Sequence, residues 1–261
     1  MMRFYKLSGA GNDFVLIRRP PGRLPALARR LCDRRGGIGA DGLLAVSPAG
    51  LRVDYLNADG SPAFCGNGAR CAALWMHDHG WTKGLREFSM KTSQGRVLAR
   101  VLGREKVSLR MPAPSTLRLG LRLEALGRRF KAHALDTGVP HAVVPVDDLD
   151  HFPVVETGRA LRHHRAFGRA GANVDFIRVT ASEVRLRTYE RGVEDETLAC
   201  GTGVVAAAIV ARRLSRLRPP IRVRVRSGES LMVRFDGGAA LPSEVWLEGP
   251  CRQVFTGEID A

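Results

Sequence analysis

The 261-residue chain has 44% hydrophobic residues and a formal net charge of +15, from 41 basic and 26 acidic side chains. This apolar fraction excludes a disordered or collagen-like chain. The longest uninterrupted apolar run, Val204 to Ala211, is far shorter than the roughly 18 residues that a membrane span needs, and the N-terminus lacks the apolar stretch of a secretory signal. The composition therefore predicts a soluble, cytoplasmic protein that does not bind membranes.

The first part of the chain is dominated by alternating patterns typical of short strands. Two segments instead have apolar residues at helical spacing, and they predict helices at Leu24–Arg35 and Gly66–His79. The predicted strands are Arg3–Leu7, Asp13–Ile17, Leu43–Val46, Arg52–Asn57, Phe88–Thr92, Arg96–Leu102 and Val107–Met111.

Pro112 and Pro114 then interrupt both helix and strand patterns, so this stretch is the best candidate for a linker. Helices are predicted after it at Gly158–His164 and Gly201–Leu214. The later predicted strands are Leu121–Phe130, His141–Val146, Asn173–Val179, Glu183–Arg191, Ile221–Arg226, Leu231–Phe235 and Glu244–Leu247. Strands outnumber helices and short connections favour antiparallel pairing, so the predicted fold class is α+β.

Neither the cysteines nor the histidines form a pattern typical of a disulfide framework or a metal site. The five cysteines are few, scattered and odd in number, which favours reduced thiols. No cysteine lies at zinc-ligand spacing from a histidine, so no metal is predicted. Arginines occur along the whole chain rather than in one block, which favours a solvated basic surface. A nucleic-acid-binding protein is an alternative suggested only by the net charge, and no nucleic-acid partner is predicted.

The most informative feature is an internal repeat about 135 positions apart. Phe64-Cys65-Gly66-Asn67-Gly68 in the first part corresponds to Ala199-Cys200-Gly201-Thr202-Gly203 in the second. Each copy places a cysteine directly before Gly-x-Gly, follows a polar loop and opens an alanine-rich helix. A repeat of this kind, with a proline-rich break between the copies, predicts two similar halves.

A cysteine at a helix N-terminus is chemically favoured as a nucleophile or base. The unpaired backbone N–H groups and the positive end of the helix dipole stabilise a thiolate. The same N–H groups can bind a carboxylate, and glycines let the ligand approach the backbone closely. Two such motifs predict a cleft with one thiol on each side of a bound carboxylate. That geometry suits inversion of an amino-acid α-carbon without a pyridoxal cofactor.

The motifs resemble those of the diaminopimelate epimerase family, and they occur in the family's order along nearly the whole chain. The matching segments are Leu7 to Phe14, Gly37 to Gly42, Asn57 to Gly60, Cys65 to Cys71, Asn173 to Phe176, Tyr189 to Gly192, Leu198 to Gly203 and the C-terminal Gly249-Pro250 and Val254 to Glu258.

The resemblance implies two pseudo-symmetric β-rich domains, each a mostly antiparallel sheet or barrel around a central helix, with the active site in the cleft between them. The implied domains are 1–112, joined by the returning segment 248–261, and 113–247. The implied reaction is the cofactor-independent interconversion of LL- and meso-2,6-diaminopimelate in lysine and peptidoglycan precursor biosynthesis. A homodimer is one assembly compatible with the sequence.

The family's site residues map onto matching positions of this chain. Cys65 and Cys200 match the acid–base pair, and His141 and Glu190 match residues that assist catalysis. The matched substrate-binding positions are Asn12, Asn57, Gly66, Asn67, Asn173, Glu190, Arg191, Gly201 and Thr202. Arg191 can bind the distal carboxylate with two hydrogen bonds.

Two positions depart from the pattern of many family members. Val139 replaces an amide before Pro140-His141, and Gly42 stands where some members carry a polar side chain. Each lost hydrogen bond to a charged group is worth about 1.5–3 kcal/mol, so the substrate choice could differ. A racemase of another amino acid on the same scaffold is therefore the nearer alternative.

Overall fold

The computed structural model describes residues 1–20, 22–236 and 241–260. The chain forms two compact units, Met1–Arg110 with Glu248–Ala261, and Met111–Leu247. In these described residues, each unit consists mainly of strands with two α-helices, so the predicted α+β class is confirmed. Among the described residues, no helix is both long enough and apolar enough to cross a membrane.

Unit 1 contains two helices, α1 (Leu24–Cys32) and α2 (Gly66–Asp78). Its strands are β1 (Met2–Gly9), β2 (Asn12–Arg18), β3 (Gly42–Ser47), β4 (Arg52–Asn57), β5 (Pro62–Ala63), β6 (Glu87–Thr92), β7 (Gly95–Gly103), β8 (Lys106–Met111, whose last residue belongs to unit 2) and the C-terminal β18 (Arg252–Ile259). Strand β1 pairs antiparallel with both β2 and β18, so the C-terminal strand returns to this unit. Pairing then continues parallel from β2 to β3 and antiparallel from β3 to β4.

Unit 2 contains α3 (Val154–Arg162), a 3₁₀ turn (Arg165–Phe167) and α4 (Gly201–Leu214). Its strands are β9 (Ser115–Ala125), β10 (Arg128–Asp136), β11 (Pro140–Pro145), β12 (Asn173–Val179), β13 (Val184–Glu190), β14 (Asp195–Thr197), β15 (Ile221–Arg224), β16 (Ser230–Phe235) and β17 (Val245–Pro250, which ends in unit 1). Strand β10 pairs antiparallel with β9 and β11, β11 pairs parallel with β12, and β12 pairs antiparallel with β13.

The order of pairings therefore repeats in the two units. Antiparallel β1–β2, parallel β2–β3 and antiparallel β3–β4 correspond to β10–β11, β11–β12 and β12–β13. A short strand follows in each unit, β5 on β4 and β14 on β13, and the next helix is α2 or α4. The two cysteine motifs therefore occupy the same place in the two topologies.

Helices α2 and α4 are the central helices of their units. Helix α2 contacts strands β1, β2, β3, β4, β7 and β18, and α4 contacts β10, β11, β12, β13, β15 and β16. Ala72 and Ala73 of α2 and Val204 to Ala208 of α4 are completely buried. A helix that is apolar on all sides has to be enclosed on all sides, because any face exposed to water would lose its burial energy.

Three element predictions need correction. The predicted strand Leu121–Phe130 is a hairpin, because Leu126 and Gly127 both adopt positive φ in a two-residue turn between β9 and β10. Helix α1 ends at Cys32 rather than at residue 35, since the Asp33 carboxylate accepts the following backbone N–H groups, at 2.8 Å for Arg35. The helix predicted near residue 158 begins earlier, at Val154.

Candidate active site

The first thiol lies at the start of α2. Cys65 is the N-cap residue with an extended backbone (φ −130°), and its Sγ accepts the backbone N–H of Gly68 at 3.4 Å. Its side chain is only partly buried, so a ligand can reach it. The sulfur therefore has the capping position in which helix N–H groups stabilise a thiolate.

Two amides next to Cys65 have their orientation fixed by hydrogen bonds. Asn67 donates from Nδ2 to Asn12 Oδ1 at 2.7 Å, and Asn12 donates from Nδ2 to Asp41 Oδ2 at 2.9 Å. Arg34 donates to the other oxygen of Asp41 at 2.8 Å. Each amide NH₂ has a second hydrogen beyond the one donated here. The candidate site in unit 1 thus has amide donors suited to a carboxylate.

The hydrogen-bonded amides of Asn67 and Asn12 are connected to a buried arginine, Arg70, to which the sequence motifs assigned no role. Arg70 is fully buried and donates from Nη2 to Asn67 Oδ1. Its Nε and Nη1 have no hydrogen-bond partner within the described part of the chain. Burial lowers the pKa of the guanidinium, whereas the nearby thiols Cys71, Cys251 and Cys65 oppose that shift. The sequence did contain a signal for this contact: an arginine three residues after Asn67, on the same face of a mostly apolar helix.

The ends of β3 and β4 bring Asn57 beside Gly42, with which it pairs directly. Asn57 donates from Nδ2 to Ser61 Oγ at 2.9 Å. A Cβ at Gly42 would lie 2.4 Å from the Tyr55 ring and 2.7 Å from the Leu56 carbonyl oxygen. Tyr55 therefore occupies the space next to position 42, and glycine is the residue that this packing allows.

The second thiol lies at the start of α4. Cys200 is an N-cap residue with φ −112°, and its Sγ lies 3.4 Å from the hydroxyl oxygen of Thr202. Burial raises the pKa of the Cys200 thiol well above its usual value, and the carboxylates of Glu190 and Asp175 raise it further. The Thr202 hydroxyl and the Gly203 N–H act in the opposite direction but do not outweigh them. These surroundings therefore favour the protonated thiol at Cys200.

Predicted catalytic residues His141 and Glu190 lie in unit 2 with Cys200. His141 Nδ1 is 2.6 Å from Asp175 Oδ2. Glu190, the last residue of β13, accepts a hydrogen bond from the Thr197 hydroxyl at 2.8 Å. Burial raises the pKa of Glu190, although the bond from Thr197 and the nearby His141 lower it in part.

Asn173, a predicted binding residue, is held beside His141 by the parallel register of β11 and β12. Its Oδ1 accepts the backbone N–H of Arg191 at 2.7 Å, and its Nδ2 lies 3.4 Å from His141 Nε2. The carbonyl of Thr202 accepts the hydroxyl of Thr137 at 3.1 Å. Val139 lies in the turn before β11, where its carbonyl accepts the Thr137 N–H at 3.2 Å.

The structure thus groups the predicted residues by unit. In unit 1, α2 and the adjoining strands carry Cys65, Gly66, Asn67, Asn12 and Asn57. In unit 2, the corresponding elements carry Cys200, Gly201, Thr202, His141, Asn173 and Glu190, with Arg191 in the following turn. No group of three or more histidine, cysteine, aspartate or glutamate side chains that could hold a metal ion occurs in residues 1–20, 22–236 and 241–260.

Solved structures with the same fold span almost the whole chain. A probable proline racemase from Agrobacterium radiobacter aligns with a TM-score of 0.69 and 19% identity, covering 100% of this chain and 93% of that one. A hydroxyproline epimerase from Agrobacterium vitis aligns with a TM-score of 0.67 and 19% identity, covering 99% and 90%. The fold of this chain is thus the one found in this class of amino-acid racemases and epimerases.

Sequence comparison identifies the family within that class. The model of the family described as diaminopimelate epimerase matches residues 4–117 and 133–242. A diaminopimelate epimerase from Chlorobaculum tepidum is 42% identical over 262 residues, covering 97% of this chain and 99% of that protein. One from Archaeoglobus fulgidus is 38% identical, covering 97% and 95%. The chain belongs to the diaminopimelate epimerase family.

Proposed function

We propose that this chain interconverts LL- and meso-2,6-diaminopimelate by proton transfer at one α-carbon, with Cys65 and Cys200 as the acid–base pair. One observation carries the proposal: the two cysteines cap central helices at equivalent places in the two units. Membership of the diaminopimelate epimerase family supports the choice of substrate.

The chemistry requires one thiolate and one thiol. The thiolate takes the α-proton, so that an S–H bond forms as the C–H bond breaks. The other thiol then gives its proton to the opposite face of the carbanion and becomes the thiolate. Because the Cα–H group is very weakly acidic, the site has to stabilise negative charge that develops next to the carboxylate. Backbone N–H groups fixed at two helix N-termini supply that stabilisation without reorganising.

The remaining residues have roles in binding under this proposal. The N–H groups of Gly66-Asn67 and Gly201-Thr202 bind the reacting carboxylate. Arg191 binds the distal carboxylate, and His141 and Glu190 assist proton transfer near the thiols. The amides of Asn12, Asn57 and Asn173 bind the other polar ends of the substrate.

The substrate assignment is tested by deuterium uptake at the α-carbon from D₂O. The purified protein, without added pyridoxal phosphate, is offered diaminopimelate, glutamate, proline and histidine in parallel. We expect rapid uptake into diaminopimelate alone. A wide preference for one of the other three amino acids would instead make the chain a racemase of that amino acid, a result for which Val139 and Gly42 would be the first residues to examine.

The thiol assignment is tested by single substitutions. Cys65→Ala and Cys200→Ala should each reduce epimerisation by at least about 1,000-fold, since an acid–base pair acts as a unit. Cys71→Ala is the matched control, because Cys71 lies on the same helix as the Cys65 cap but is buried in the core. Near wild-type epimerisation in either Cys65→Ala or Cys200→Ala would refute the assignment.

The proposal also includes a cytoplasmic location, as expected for an enzyme supplying lysine and peptidoglycan precursors, and a homodimeric assembly. Cell fractionation and sedimentation velocity of the purified chain test these two points. A stable monomer with full activity would exclude the dimer as a requirement.

A further inference from the structure

One buried carboxylate in unit 2 lies near Cys200 but has no assigned part in binding or proton transfer in the reaction proposed above. Asp175 on β12 is completely shielded from solvent, and it contacts the equally buried His141 at 2.6 Å. We propose that Asp175 is a positioning residue that fixes the tautomer of His141 and, through it, the orientation of the Asn173 amide. This inference rests on the proposed function, in which His141 and Asn173 belong to the site.

The direction of the hydrogen bonds follows from one group that can only donate. The backbone N–H of Arg191 donates to Asn173 at 2.7 Å, so the amide oxygen must face Arg191. The Nδ2 of Asn173 then faces Nε2 of His141 at 3.4 Å. An amide nitrogen donates and does not accept, so Nε2 of the imidazole accepts and has no proton.

The imidazole proton is consequently on Nδ1, from which it is donated to Asp175 Oδ2. The other carboxylate oxygen, Oδ1, accepts the hydroxyl of Thr188 at 2.8 Å. Both oxygens of Asp175 therefore act as acceptors, as an ionised carboxylate requires. From the Arg191 backbone to Asp175, every donor in this hydrogen-bond network therefore faces an acceptor. The direction of each hydrogen bond determines the direction of the next.

The packing around Asp175 also ties this network to the helix that Cys200 caps. A Cβ at position 203 would lie 2.5 Å from Asp175 Oδ1 and 3.3 Å from the Thr188 hydroxyl oxygen. The glycine in the first turn of α4 thus lets the carboxylate lie against the start of the helix. There the positive end of the helix dipole favours a negative charge.

The consequence for the reaction is geometric. With Nε2 unprotonated, its lone pair accepts one N–H of Asn173, and the second N–H of that amide keeps its direction for binding a ligand. Without Asp175, the imidazole can move its proton to Nε2. Two donors, the Nε2–H of His141 and the Nδ2–H of Asn173, would then face each other, and the amide would have to turn away.

Nuclear magnetic resonance of the full-length protein labelled with [¹⁵N]histidine tests the tautomer directly. The His141 signals are assigned by their loss in His141→Gln. We expect Nδ1 protonated and Nε2 unprotonated in the wild type, and a shift towards the other tautomer in Asp175→Asn. A wild-type Nε2–H tautomer, or no change in Asp175→Asn, would overturn the proposal. The wild-type spectrum decides the tautomer without any variant, and it does not depend on which substrate the enzyme uses.

A double-mutant cycle separates positioning from general stability. Asp175→Asn should lower kcat/KM for diaminopimelate by at least about 10- to 100-fold, the cost found when a carboxylate that orients a metal-bound histidine is removed. In a His141→Gln background the same substitution should have a much smaller effect, because only its influence on the charge near Cys200 remains. Equal losses in both backgrounds would mean that Asp175 does not act through His141, and the proposal would be wrong.

The matched control is a second aspartate–histidine pair of unit 2. Asp148 contacts His151 at 2.9 Å, but both side chains are exposed. Asp148→Asn should therefore leave kcat/KM unchanged. Thermal melting of each variant checks that it is folded at the assay temperature, so that a lower kcat/KM is not caused by unfolding. If wild-type protein showed no deuterium uptake with diaminopimelate, the proposed function would fail while the tautomer result would still stand.

Discussion

The two cysteine-capped helices occupy equivalent places in the two units, yet their surroundings carry opposite charge. The fifth residue after the cysteine is Arg70 in α2 and Val205 in α4, and both are fully buried. Behind Cys65 there is therefore a guanidinium, whereas Cys200 faces the carboxylates of Glu190 and Asp175. The repeated backbone supplies the same helix terminus twice, and the side chains make the two termini electrostatically different.

We expect this difference in charge to favour different protonation states at the two sulfurs. A positive charge and a bonded Gly68 N–H favour a thiolate at Cys65. Burial and two carboxylates favour the protonated thiol at Cys200. A two-base epimerase needs one thiolate and one thiol at the same time, and under the proposed function we expect Cys65 to be the thiolate and Cys200 to be the thiol.

Removing either thiol should have the largest effect. Each single variant should lose epimerisation but keep proton exchange on one face of the α-carbon, and the two variants should differ in which face they keep. In Cys200→Ala, Cys65 can still remove a proton and return a solvent deuteron to the same face. Cys65→Ala should retain the corresponding exchange on the other face through Cys200, but at a lower rate, because burial and two carboxylates favour the protonated form of that thiol. Epimerisation should fall at least about 1,000-fold in each variant. Each variant should then incorporate deuterium into a different stereoisomer. Chiral chromatography with mass spectrometry measures this incorporation. Incorporation into the same isomer by both variants would contradict the two-face arrangement.

The charge behind Cys65 is tested by Arg70→Met, which makes α2 resemble α4 at this position. The substitution removes both the cation and the donor that holds Asn67. We expect kcat/KM to fall about 10- to 100-fold, the effect of one lost buried hydrogen bond to a charged group. Alkylation of Cys65 by iodoacetamide should slow as well, while alkylation of Cys200 should not change. Arg213→Met, at the exposed end of α4, is the control; unchanged Cys65 alkylation in Arg70→Met would show that the guanidinium does not act on the thiol.

A further contrast between the units is the first residue of two corresponding strands, Gly42 in β3 and Asn173 in β12. Gly42→Ala should lower the free energy of unfolding by about 1–3 kcal/mol, because its Cβ would overlap the Tyr55 ring and the Leu56 carbonyl. Urea denaturation measures this loss. In a Tyr55→Ala background the same substitution should cost less, because the contact with the ring is absent. No destabilisation in Gly42→Ala would mean that the space beside position 42 is not filled by Tyr55.

The sequence was sufficient for the features that depend on local chemistry. The Cys-Gly-x-Gly motifs predicted two helix starts, and α2 and α4 begin at Gly66 and Gly201 directly after the cysteines. The α+β class followed from alternating strand patterns and short helices, and it is confirmed. These signals are readable because periodicity and capping involve residues only a few positions apart.

The pairing of Asp175 with His141 could not be predicted in the same way. The two residues are 34 positions apart, and they meet because β11 and β12 run parallel in a register that sets Asn173 beside His141. Such a register depends on the whole sheet rather than on local sequence. Arg70 was missed for a different reason, since an arginine on a helix is usually exposed and its burial follows from the strands that enclose α2.

The smallest expected effect concerns the carboxylate beside the second thiol. Glu190→Gln removes a negative charge that raises the pKa of Cys200, so the pKa of the thiol should fall. The pH profile of Cys200 alkylation should then move to lower pH, and the thiolate fraction at any given pH should rise accordingly. The profile of Cys65 should stay in place. Asp195→Asn, an exposed carboxylate on the neighbouring strand β14, is the control. A Cys200 profile that did not move, or moved to higher pH, would show that Glu190 does not favour the protonated form of this sulfur. The electrostatic contrast between the two helices would then have to come from burial and Asp175 alone.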